Sequence, residues 1–285
     1  VVSTIASPRD RDREVLAFAA EHRFVLAGQI AWLLGVAANT AARRLHDLDS
    51  AGLMRSGGQR LLHEPPAWRV TQAGLGVVDS DLGRPREIDL ATYRHDVGVT
   101  WLAVGAERGI FGEVSAIVSE RRMRSEDRRA GRPADAPRHG VRLGIGERGE
   151  RNLHYPDLVL VTAGGHRVAF ELELSTKQPA KRERILAAYA ADRRIDAVVY
   201  LVNHRAAGDA VARSAARVGA DKVQVQRFAW SDGRAPGDPP RAATRTSART
   251  ASRASMRAGA RRGSAARTGA DRAASSRTDD RAVSL

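Results

Sequence analysis

The stretch HYPDLVLVTAGGHRVAFELEL, residues 154–174, constrains the fold of this chain more than any other. Two apolar runs, 157–162 and 167–174, flank an Ala-Gly-Gly turn and read as an antiparallel hairpin. Side chains on a strand alternate between its faces, so Phe170, Leu172 and Leu174 share one side while Glu171, Glu173 and Ser175 share the other. Two carboxylates on one face of an apolar strand repel each other, and burying either without a partner is costly. A cation must therefore stand nearby: an arginine, a lysine or a metal ion. Loop length decides whether a third acid joins them. A three-residue loop, 163–165, sets Thr162 against His166 and Asp157 against Glu171, so that all three carboxylates share a face. A two-residue loop turns Asp157 away, because one step of register reverses every side chain.

Three oxygen-bearing side chains at a strand end, with no soft ligand among them, suit Mg²⁺ or Mn²⁺. An ion held by Asp157, Glu171 and Glu173 lowers the pKa of a bound water and polarises a phosphodiester, and Lys177 is the nearest cation to assist. The plainer alternative is an ion-pair cluster in which Arg167, Lys177, Lys181 or Arg184 neutralises the glutamates. His154 is a candidate to orient a carboxylate or a water. His95, His46 and His63 share no metal-ligand spacing and receive no role.

The net charge of +14 implies a polyanionic partner, nucleic acid ahead of an acidic membrane surface. An arginine-rich tail accounts for half of it: from Ser231 onward there are 12 arginines against 5 aspartates, which leaves +7 on residues 1–230. The absence of cysteine excludes disulfides and thiolate metal sites. No apolar run approaches the roughly 18 residues of a membrane span, and VVSTIASPRD lacks a signal-peptide core, so the expected setting is cytoplasmic.

Residues 9–81 read as a winged helix-turn-helix. Asp10 caps a helix to about His22, a short helix follows over about 27–34, Gly35 breaks it, and a third helix opens at Asn39 or Thr40. LMRS, the Gly57-Gly58 turn and QRLLHEPPAWRV make a two-stranded wing, and Thr71 caps a further helix. Double-stranded DNA is the expected partner. Asn39, Thr40, Arg43 and Arg44 are the candidates for base edges and phosphates in the major groove, while Arg55 and Arg60 flank the wing turn.

A Gly/Pro link over 82–87 ends this segment, and 87–229 reads as a mixed α/β domain. It begins with a helix over 88–108 whose buried face includes Leu90. Strands follow at 112–119, 157–162, 167–174, 197–202 and 223–228, with helices near 179–192 and 207–219. Residues 121–152 carry ten arginines against five acids with little periodicity, and are expected to be a mobile basic insertion with a short hairpin around 141–147. Residues 231–285 hold almost no large apolar side chain and are expected to be a disordered tail.

Pro156-Asp157, then Glu171 and Glu173 with a following lysine, in a helix, three strands, helix, strand order, resemble the PD-(D/E)XK nuclease superfamily. The resemblance implies a restriction-endonuclease-like domain in which Asp157 and Glu171 bind the metal. It departs at the position two past Glu171, where Glu173 stands in place of the lysine; either Lys177 is a migrated substitute, or the fold has lost cleavage and kept binding. Residues from about 9 to 228 also resemble the replication-relaxation family of plasmids and mobile elements, through the winged-helix start, VSERRMR at 118–124, HYPDLVLV, AFELELSTK and KRERILAAY. That resemblance implies a role in plasmid replication, relaxation or conjugative transfer, with other replication or transfer proteins, or a second copy, as partners. The enzymatic expectation is a Mg²⁺- or Mn²⁺-dependent DNA endonuclease. The alternative is a non-catalytic winged-helix transcriptional regulator or relaxosome accessory protein.

Overall fold

The computed structural model describes residues 10–59, 64–129, 137–145, 151–175, 178–229 and 283–284, all within one compact unit. Arg60, Lys177 and the tail other than Val283–Ser284 lie outside the described residues.

The chain opens with helices α1 (Asp10–Glu21), α2 (Ala27–Leu34) and α3 (Ala38–Ser50), with a two-residue strand β1 (Val25–Leu26) leading into α2. Gly35 ends α2 in the left-handed conformation, φ 63°, which a Cβ would strain. The wing follows as β2 (Met54–Ser56) and β3 (Ala67–Val70), and then helix α4 (Gln72–Val77). Thr71 caps α4, its Oγ1 accepting from the Gly74 N–H at 3.1 Å. Only glycine fits at Gly74: a Cβ there would stand 2.1 Å from the Leu53 carbonyl oxygen. The wing is three-stranded, in the order β1-β3-β2, because Val25 and Leu26 pair with Trp68 and Ala67. Two residues are too few to show an alternating pattern, so the extra strand carries no sequence signal.

Helix α5 spans Tyr93–Glu107. Leu90, expected on its buried face, lies ahead of its first turn and is 56 % exposed. Strand β4 (Val114–Ser119) comes next. A helix, α6 (Glu120–Arg129), then occupies the start of what the sequence presents as a mobile insertion, with Met123 and Asp127 buried. The expected hairpin is present as β5 (Val141–Ile145) and β6 (Arg151–His154). Asp127 joins the two pieces, accepting backbone N–H groups from Arg138 at 2.7 Å and Gly140 at 2.9 Å. The rest of the unit is β7 (Leu158–Thr162), β8 (Arg167–Glu173), α7 (Pro179–Ala191), β9 (Ala197–Val202), α8 (Arg205–Val218), β10 (Val223–Ala229) and β11 (Val283–Ser284).

The main sheet runs β11-β10-β9-β8-β7-β4. β4, β7 and β8 pair antiparallel, and β8 through β11 pair parallel. The pair at Val283 and Ser284 is the only described part of the region expected to be a disordered tail, and it corrects that expectation for those two residues. Alternation divides the sheet into two apolar faces. Leu158, Leu160, Phe170, Leu172, Val199 and Leu201 pack with α5 and with the winged-helix residues in one core. Val159, Ala169, Val198 and Tyr200 pack with Ile185, Leu186 and Tyr189 of α7, Val211 of α8 and Met123 of α6 in the other.

The first core continues across the 82–87 link. Phe24 stacks on Tyr93 with ring centroids 5.0 Å apart, and Trp32 meets Trp101 at 5.9 Å. The buried Gln29 amide ties α2 to α5, its Nε2 donating to the Val97 carbonyl at 3.0 Å while its Oε1 accepts from the Leu26 N–H at 2.8 Å. A fully buried Leu- or Phe-sized side chain contributes about 1.5–3 kcal/mol. The shared aromatic seam therefore binds the two halves more firmly than surface charges could.

Candidate functional site

The β7–β8 hairpin takes the register of the three-residue loop. The Thr162 N–H donates to the His166 carbonyl at 2.9 Å, Leu158 stands opposite Phe170, and the Asp157 N–H donates to the Phe170 carbonyl at 3.1 Å. This brings Asp157 to the end of β7 beside Glu171. Glu171 and Glu173 are 1 % and 2 % exposed, on the face toward α7. Tyr200 is the register partner of Glu171 on β9. Burial, and then the charges of Glu171, Glu173 and Asp157, hold its phenol well above the ordinary range. The three acids thus gather around one buried tyrosine ring.

Glu171 and Asp157 are met by different neighbours. Glu171 Oε1 accepts from the Tyr189 hydroxyl at 2.5 Å and lies 2.6 Å from His154 Nε2. Burial and the Glu171 charge raise the Tyr189 phenol, which keeps it a donor. Asp157 Oδ2 accepts from the Leu172 N–H at 2.7 Å and lies 3.2 Å from His95 Nε2 on α5. Burial alone would lower the His95 pKa, but the charge and hydrogen bond of Asp157, with help from Asp96, outweigh it and raise the imidazole to about 10. At neutral pH His95 is therefore a cation wedged between two aspartates. Asp96 is held in turn by Arg23 at 3.3 Å and by the Thr92 hydroxyl at 3.0 Å.

Of the cations proposed from sequence alone, Arg167 turns to His139 Nδ1 at 3.3 Å. Arg182, which sequence reasoning did not single out, is buried on α7, and one of its contacts is a hydrogen bond from its Nε to Ser214 Oγ at 3.0 Å. Sequence reasoning missed His95, because a histidine 62 positions from its aspartate carries no local spacing. His154, three residues before Asp157, was legible as a partner for a carboxylate, and the structure places it on Glu171. Carboxylate and imidazole donors without thiolate suit a hard divalent ion. Among the described residues, however, no three acid or histidine side chains are arranged to hold one.

The groove-facing candidates separate. Asn39, Thr40 and Arg43 are exposed on α3, whose opposite side buries Ala41, Leu45 and Leu48. Arg55 is exposed on β2. Arg44, one residue beyond Arg43, turns back to α1 and pairs with Asp12.

Of the arginines of 118–124, Arg121 and Arg122 face inward to the winged-helix half. Arg121 donates to the carbonyls of Ala20 at 2.7 Å, His22 at 2.8 Å and Gly83. Arg122 bonds Glu21 at 2.5 Å and Asp81, and Arg129 also reaches Asp81. Ser119 Oγ donates to Glu21 Oε2 at 2.7 Å. Arg124 lies 4.4 Å from the centroid of the Tyr155 ring. Burial, and then Arg121, push the nearby His22 down to about 3, so that imidazole is neutral.

No known protein family and no curated protein matches this sequence. Among solved structures, a cysteine-to-serine mutant of Lactococcus lactis ZitR aligns over 38 % of this chain and 70 % of its own, with 17 % identity and a TM-score of 0.22. A likeness at that score carries no inference for this chain.

Proposed function

We propose that this chain binds double-stranded DNA through its winged-helix half, in the cytoplasm, in the replication, relaxation or transfer of a plasmid or other mobile element. The observation that carries the reading is the exposed side of α3. Asn39, Thr40 and Arg43 stand free of the core on a helix anchored by Ala41, Leu45 and Leu48, with Arg55 exposed on the adjoining wing. A helix so presented enters a major groove, and the wing strand meets the backbone beside it. Other replication or transfer proteins, or a second copy of the chain, complete the proposed set of partners. The test is fluorescence anisotropy of the full chain on short duplexes across a salt series. Binding whose logarithm falls linearly with log salt supports the reading. No affinity at low salt overturns it and leaves a protein-binding scaffold.

A second reading, phosphodiester cleavage with Mg²⁺ or Mn²⁺ on Asp157, Glu171 and Glu173, is favoured by two observations. One is the hairpin register. The other is the α5-β4-β7-β8-α7-β9 order, interrupted by α6, β5 and β6, which the nuclease resemblance implies. The present arrangement does not form an ion cage, since His95 and His154 already engage two of the acids. An ion would have to replace those imidazoles, with Lys177 proposed to assist. Nicking of a supercoiled plasmid in Mn²⁺, abolished by Asp157→Ala, supports cleavage. Intact plasmid under every metal and salt condition points to the non-catalytic regulator or relaxosome accessory.

A further inference from the structure

A cavity of about 340 Å³ opens between the winged-helix half and the sheet. Phe18 of α1, Leu33 of α2, Ala103 of α5, Ile117 of β4 and Leu158 of β7 supply its apolar lining. Its charged groups are all acids: Glu14, Glu21 and Glu107. Glu21 is already engaged by Ser119 and Arg122. His22, the remaining titratable group on the wall, is neutral. Among the described residues Glu14 and Glu107 have no ion-pair or hydrogen-bond partner. Burial, and then the Glu14 carboxylate, raise the Glu107 pKa, and both acids line the cavity with exposed side chains. Two like charges beside an apolar hollow, in a chain of net +14, are the reverse of what the surrounding field favours.

We infer that this cavity is a binding site for a small organic cation with an apolar body. Its charge would sit beside Glu14 and Glu107, which are exposed, and its hydrocarbon against the partly exposed Leu33 and Ile117. A hydrated inorganic ion would leave the apolar lining unused, and an anion would meet two carboxylates. The volume lies at the lower end of small-molecule sites. Because the wall joins α1 and α2 to α5 and the sheet, an occupant touches both halves at once, and α2 is packed against α3.

The test is calorimetric titration of the full chain with 2-phenylethylammonium, and with 2-phenylethanol and 3-phenylpropionate as neutral and anionic counterparts. One saturable site is expected, with the cation about tenfold tighter than the alcohol, as two partly exposed ion pairs allow, and no binding of the carboxylate. The double variant Glu14→Gln/Glu107→Gln is expected to bring the cation to the affinity of the alcohol, with its melting temperature unchanged or higher, since the repulsion between the two acids is removed. Ile117→Trp is expected to fill the cavity and remove both; should that variant not fold, the glutamine pair still decides. Absence of saturable binding by the cation, or a cation affinity unaltered by the double variant, overturns the inference. The outcome is independent of whether the chain binds DNA.

Discussion

Helices α3 and α6 both carry arginine, and they use it in opposite ways. On α3, Arg43 is exposed while its neighbour Arg44 is taken by Asp12. On α6, Arg121, Arg122 and Arg129 are directed at carbonyls and carboxylates of the winged-helix half, and Arg124 at Glu120 and the Tyr155 ring. Arginine density is higher on α6, where Arg128 also stays exposed on the carbonyl of Arg124, but it is Arg43 on α3 that stands opposite its helix's buried stripe. A basic segment therefore points to nucleic acid only after its internal partners have been counted.

Substitutions on the two helices should give opposite readouts. Arg121→Ala leaves the Ala20 and His22 carbonyls without their donor, and is expected to lower unfolding stability by about 2–3 kcal/mol in urea titration. A variant as stable as the parent but weakened in DNA binding would make α6 a nucleic-acid contact and break the contrast. Arg43→Ala should do the reverse, weakening DNA binding by about 1–2 kcal/mol while moving stability by less than about 0.5 kcal/mol. A large loss of stability there would mean that Arg43 is structural.

The two perturbed histidines sharpen the same boundary through pH. His95 is raised to about 10 in the fold, so its contribution is complete below an unfolded value near 6.5 and is lost as pH climbs toward 10. His22 is lowered to about 3, so its contribution is complete above about 6.5 and is lost as pH falls toward 3. Melting temperature should peak near neutrality, and His95→Asn should flatten the alkaline limb, by about 1 kcal/mol once solvent screening of this partly exposed pair is allowed for. An unchanged alkaline limb in His95→Asn would remove the case for a charged His95. The smallest effect belongs to Asp81→Asn. It removes the shared partner of Arg122 and Arg129, yet the carboxylate is 49 % exposed, so the cost should stay under about 1 kcal/mol and shrink in high salt. A larger, salt-insensitive loss would mean that the interhelix charges carry the junction.

The sequence was most readable where periodicity is strong. The hairpin at 157–174, the cap at Thr71 and the inward stripe of α3 follow from alternation, side-chain chemistry and helical spacing. What stayed hidden depends on distant partners. Strand β1 exists because Trp68 and Ala67 offer it an edge. Helix α6 is almost wholly charged, so its pattern lacks an apolar stripe; Met123 and the Asp127 contacts to the following loop hold it instead. The candidate site divides along the same line. Glu171 and Glu173 could be placed on one face by alternation, while Asp157 hung on a loop length that the register settles. The pairing of His95 with Asp157 could not, because it requires α5 to pack across the sheet.

The aromatic seam of Phe24, Trp32, Tyr93 and Trp101 has a mechanical consequence. It packs the winged-helix half and the acid-bearing sheet into one core, so if α3 docks on DNA as proposed, that docking would fix how far Asp157 stands from the duplex. The proposed cleavage, if it occurs, must then happen at that one reach, or be done by another molecule bound alongside.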